Sequence, residues 1–97
     1  MKYIDFHCDT ISELADHPEA GTLQRSRLCI DLEKLGKGDA AIQDFALFVD
    51  MHRCSDPWER YQFLLQCYKR ELERNQDRLH PVLSAADVGL ADREGKK

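Results

Sequence analysis

Ninety-seven residues make one small domain or part of a larger one, and 42% hydrophobic with 33% charged residues is the balance of an ordinary folded chain. That balance excludes disorder, a fibre or a solenoid, and no apolar run approaches the ~20 residues that span a membrane. The net charge of −4 arises in residues 1–56, with 6 Lys+Arg against 11 Asp+Glu, whereas residues 57–97 carry 8 against 7. No basic stripe or basic–aromatic interleaving is present, so nucleic acid is not an expected partner.

Taken in order, Tyr3-Ile4-Asp5-Phe6-His7-Cys8-Asp9-Thr10 reads as a short strand ending in His-x-Asp. Side chains alternate along a strand, so His7 and Asp9 are expected to share one face and Cys8 the other. An imidazole beside a carboxylate at a strand's end is a natural beginning of a divalent metal site. Thr10 is the expected cap of a helix running to Asp16, with Glu13 at capping-box spacing, and His17-Pro18 ends it. His17 is expected as an exposed helix-end residue and 19–24 as loop. Residues 27–30 are expected to be briefly extended, followed by a short helix capped by Asp31 over 32–35 and stopped by Gly36 and Gly38.

The run from Ala40 to Val49 is the strongest strand, nearly all apolar, as suits a strand buried on both faces of a parallel sheet. Gln43 and Asp44 are its polar residues and must find partners or face a site. His52 and Cys54 lie in the loop that follows and read as surface. Asp56-Pro57-Trp58-Glu59 starts a helix, whose stripe of Trp58, Tyr61, Leu65, Tyr68 and Leu72 is expected to face a core. A turn at 75–77, an extended segment at 80–83 and a helix capped by Ser84 and closed by Gly95 complete the chain.

Strands alternating with helices imply an α/β fold with a parallel sheet, but so few strands leave a sheet face and both edges uncovered. The chain is therefore read as one partial domain over 1–97. Met1 leads almost at once into the first strand, leaving no room for a signal peptide, so a cytoplasmic location is expected. Cys8, Cys29, Cys54 and Cys67 are widely spaced, which favours free thiols in a reducing compartment.

The stretch Ile4-Asp5-Phe6-His7-Cys8-Asp9-Thr10 resembles the first barrel strand of the membrane (renal-type) dipeptidases, zinc metallopeptidases with a TIM-barrel fold. Residues 31–38 followed by Gln43-Asp44-Phe45-Ala46-Leu47-Phe48 look like that family's short helix and second strand. Residues 83–88 and 93–96 are similar to its approach to the next strand. The resemblance implies the amino-terminal portion of a (β/α)8 TIM barrel, a fold of ~250 residues. It implies His7 and Asp9 as ligands to one of two zinc ions and Asp5 as a support behind them. The implied activity is hydrolysis of dipeptides by a metal-bridged hydroxide. The family's bridging glutamate and its other histidine ligands would lie past Lys97, so the chain alone is expected to be inactive. Asp44 stands where the family pattern has an aromatic residue. The alternative is a non-catalytic module that associates through its sheet edges, and a homo-oligomer is expected on either reading.

Overall fold

The computed structural model describes all 97 residues. Two strands, β1 (Tyr3–Asp5) and β2 (Ala40–Gln43), pair in parallel. Four α-helices accompany them: α1 (Thr10–Asp16), α2 (Leu32–Lys37), α3 (Pro57–Arg74) and α4 (Ala85–Glu94), with a 3₁₀ turn at Pro18–Ala20. The expected α/β order and parallel pairing are therefore present.

Parallel strands cannot be joined by a tight turn, so the chain between β1 and β2 must cross over, and it carries α1, the 3₁₀ turn and α2 as it does so. That crossover supplies most of the core. Ile11, Leu23, Leu32, Leu35 and Ala40 are buried together with Cys67 and Leu79, and Phe45, Leu47, Tyr68 and Leu72 pack against them.

Asp31 organises the turn into α2. Its side chain is almost wholly buried, accepts the Lys34 amide at 2.8 Å as the helix cap, accepts the Ser26 amide at 2.9 Å, and pairs with the Lys34 ammonium at 2.7 Å. Those bonds turn the segment at 27–30 into bends instead of the extended run expected, and only an isolated antiparallel bridge between Gly21 and Ser26 remains. Gly21 has φ +127°, and a Cβ there would meet the Arg25 carbonyl oxygen at 2.5 Å, so this tight return admits only glycine.

Further sequence expectations are corrected. Thr10 does not cap α1; Asp9 occupies the capping position without a side-chain bond, while Thr10 is buried in the first turn and donates to the Ile30 carbonyl at 3.2 Å. The regular part of β2 is shorter than the 40–49 run and, beyond Ala40, only half-buried; the uncovered sheet face expected of so few strands is present, with Ile4 50% exposed. The helix α3 has the expected eighteen residues, Asp56 cap and Pro57 start, but its buried line is Leu64, Cys67 and Glu71, continuing to Asn75. Trp58 is 65% exposed, and Tyr61, Leu65, Tyr68 and Leu72 are half-buried on one flank of that line. The rotation follows from Glu71, whose carboxylate accepts the Leu23 amide at 3.2 Å and so satisfies a main-chain group that α3 would otherwise bury unpaired.

Residues 80–83 form no strand; the His80 amide instead donates to the Lys97 carbonyl at 2.8 Å. The helix α4 begins as expected at Ser84, with the Asp87 carboxylate reaching back to the Leu83 and Ser84 amides at 2.9 and 2.8 Å, and ends at Gly95 in the left-handed region. It buries one residue, Ala91. Polar contacts hold it: His80 lies between Asp87, at 3.6 Å, and Glu94, at 3.4 Å, and Lys2 pairs with Asp92.

Leu64→Ala is expected to cost about 2–5 kcal/mol and Trp58→Ala less than about 0.5 kcal/mol in urea unfolding, the reverse of what the apolar stripe alone suggests. Burial pushes the Asp31 carboxyl upward, but the Lys34 ammonium and the amides of Lys34 and Ser26 outweigh it and hold the carboxyl below its usual range. A carboxyl depressed on folding contributes stability that is present above its unfolded value, about pH 4, and is lost as the pH falls through the folded one. Asp31→Ala should therefore destabilise the fold by about 2 kcal/mol at neutral pH. Its deficit against the parent chain should shrink in unfolding curves recorded below about pH 4.

Candidate metal-ligand pair at the end of the first strand

The sheet is irregular where the candidate residues sit. Tyr3 pairs with Ala40 but Ile4 with Ile42, so β2 carries an extra residue at Ala41. Beyond Asp5 the pairing continues: the Asp44 amide donates to the Asp5 carbonyl at 2.8 Å, the Cys8 amide to the Asp44 carbonyl at 3.1 Å, and the Ala46 amide to the Cys8 carbonyl at 2.9 Å. An undistorted parallel ladder would use the amide of His7 where this one uses Cys8. The β1 side therefore holds one residue too many, and the bulge falls on Phe6-His7. Bulges of this kind bend the chain and re-aim the side chains beside them.

The bulge releases the His7 amide from the ladder, and the Asp5 carboxylate accepts it at 3.2 Å. The other oxygen of Asp5 accepts from Gln43 Nε2 at 3.0 Å, so Asp5 ties the bulge to β2. Asp5 thus braces the main chain of His7 against β2. Cys8 turns inward and is buried, while His7 and Asp9 on either side point to solvent. Burial, with the Asp5 and Asp9 charges adding to it against bonds from Thr10, pushes the Cys8 thiol up and keeps it from acting as a thiolate.

His7 Nε2 and Asp9 Oδ2 face each other at 3.3 Å, with 64% and 53% of their side chains exposed. Asp9 is free to make this contact because, although it sits at the cap of α1, its carboxylate bonds no helix amide. Two donors each about 2.0–2.2 Å from a tetrahedral zinc stand roughly 3.3–3.5 Å apart, so the pair already has the spacing of one edge of such a site. The same spacing serves as a hydrogen bond when no metal is held. No third His, Cys, Asp or Glu completes a metal-holding group. His17 is bound to Glu19, and His52 is exposed in the loop after β2, both away from the pair.

Two clefts flank Asp9. One, of about 540 Å³, includes His7, Arg27 and Cys29; the other, of about 550 Å³, includes Ser12, Glu13, Asp50 and Arg53. The second lies where the chain leaves the carboxyl end of the sheet, and the buried Ser12 hydroxyl beside it has no partner. The bulge and the Asp5 brace escaped the sequence reading, since only pairing across the sheet reveals them. All four cysteines are unpaired, and no helix is long and apolar enough to cross a membrane. Comparison of the chain with protein-family models, with curated proteins and with solved structures finds no match.

Proposed function

We propose that this chain carries the first two ligands, His7 and Asp9, of a zinc-dependent dipeptidase centre, on the opening strand of a (β/α)8 barrel. The 3.3 Å spacing of His7 Nε2 and Asp9 Oδ2 at the carboxyl end of a parallel strand is the observation that carries the reading. A zinc ion held there supplies a Lewis acid that polarises a peptide carbonyl and acidifies water. His7 offers its imidazole nitrogen, Asp9 offers a carboxylate and a compensating charge, and Asp5 fixes the His7 main chain so that the donor keeps its aim. Two donors make a weak and incomplete site, so the 97 residues alone do not hydrolyse dipeptides. The unpaired cysteines support a cytoplasmic setting.

Zinc titrated into the isotopically labelled chain should shift the amide and ring resonances of residues 5–10, saturably and weakly. His7→Ala and Asp9→Ala should each abolish those shifts, and dipeptide hydrolysis should not exceed that of zinc alone. Zinc that leaves His7 and Asp9 undisturbed would remove the basis of the proposal.

A second reading, self-association, is favoured by the apolar sheet face, on which Ile4, Phe6 and Phe48 are exposed beside two open strand edges. It expects a homo-oligomer by light scattering at micromolar chain, with the mass falling to that of a monomer in Phe6→Lys. A parent chain that stays monomeric across the concentration range rejects it.

A further inference from the structure

A cavity of about 390 Å³, within the range of small-molecule sites, opens between the sheet, the second half of α3 and the segment at 79–82. Its walls are apolar: Phe6, Ile42, Phe45, Leu72 and Val82. Its polar lining residues are Asp5, Gln43, Asp44, Tyr68, His80 and Lys97. The Asp44 carboxylate, which lines it, takes no hydrogen bond or ion pair; only its main-chain carbonyl is used, accepting from Gln43 Nε2 at 3.1 Å. Because Gln43 Nε2 also donates to Asp5 at 3.0 Å, the orientation of that amide is fixed. Gln43 Oε1 is then left as a buried acceptor with no donor. The half-buried Tyr68 phenol lines the same space, pushed up by burial and by the Asp44 charge, and it too has no partner. The basic side chains nearby face other carboxylates: His80 lies between Asp87 and Glu94, and Lys97, which forms no ion pair, lies near enough to Asp92 to help hold that carboxyl below its usual range.

We propose that this cavity binds a small molecule with an apolar body and a primary ammonium head, the body lying on Phe6, Ile42 and Leu72 and the head facing Asp44. An unpaired carboxylate beside an apolar pocket suits a donor that carries positive charge on a body that gains from burial. The inference does not rest on the zinc reading, and its test needs no metal.

The probe is phenethylamine, compared with 2-phenylethanol and phenylacetate, each titrated into the isotopically labelled full chain. Phenethylamine should shift resonances of 42–45, Tyr68 and Val82 saturably, about tenfold more tightly than 2-phenylethanol, with phenylacetate weakest. Asp44→Asn, at an exposed position where the fold should survive, should bring the amine down to the affinity of the alcohol and leave the alcohol unchanged. Asp77→Asn, remote from the cavity, should change neither. Equal binding of amine and alcohol, tighter binding of phenylacetate, shifts outside the cavity, an unaltered amine affinity in Asp44→Asn, or no saturable shift at all would each overturn the proposal.

Discussion

The parallel pairing of β1 with β2 is the constraint from which the rest follows. It forbids a hairpin and forces a crossover long enough to carry two helices, and that crossover, not the sheet, brings most of the apolar side chains together. The crossover has little regular structure between Ala20 and Leu32, so polar groups fix it. Asp31 gathers the Ser26 and Lys34 groups from one side, and Glu71 reaches across from α3 to hold the Leu23 amide. Both carboxylates are buried and both are paired, as buried charge requires. Leu23 is wholly buried because its main chain has been satisfied on both sides, by Glu71 and by the Leu32 amide at 2.9 Å.

The same pairing explains the site. Each strand contributes one surplus residue, Ala41 on β2 and then His7 on β1, and the second restores the register that the first displaced. Without the second bulge, the His7 amide would be consumed in the ladder and Asp5 would have nothing to brace. The exposed pair His7–Asp9 and the buried Cys8 are thus products of a register correction, with Asp5 and Gln43 linking the ligand loop to the neighbouring strand. The orphaned Gln43 oxygen has the same origin, since Gln43 spends both amide hydrogens on this linkage and leaves its oxygen over.

Local signals in the sequence were legible where the physics is local. Asp31 capping α2, Asp56 and Pro57 opening α3, Ser84 opening α4 and Gly95 closing it are settled by the few residues around them. The facing of His7 and Asp9 was legible too, though through simple alternation, whereas the structure reaches it through a bulge. What failed depends on distant partners. The α3 stripe looked decisive because Trp58 and Tyr61 are large, yet the buried line passes through Glu71, whose value comes from the Leu23 amide far away in the chain. Thr10 looked like a cap because its hydroxyl could serve the helix, but Ile30 offers that hydroxyl a carbonyl from the crossover. The length of β2 was overread because the bulge at Phe6-His7 ends the regular ladder after Gln43, although main-chain bonds to the first strand continue as far as Ala46.

The attachment of α4 has a kinetic corollary. A helix that buries only Ala91, and is otherwise held by polar contacts at His80 and Lys2 and by main-chain bonds of Lys97 to Arg78 and His80, has little apolar area to lose on detaching. It is therefore the unit with the lowest opening free energy, able to leave while the crossover core stays intact. Its ion pairs are exposed enough to be weakened by salt. His80 and Lys97 flank α4 and border the cavity, so detachment of the helix would loosen that one wall and leave the sheet side in place.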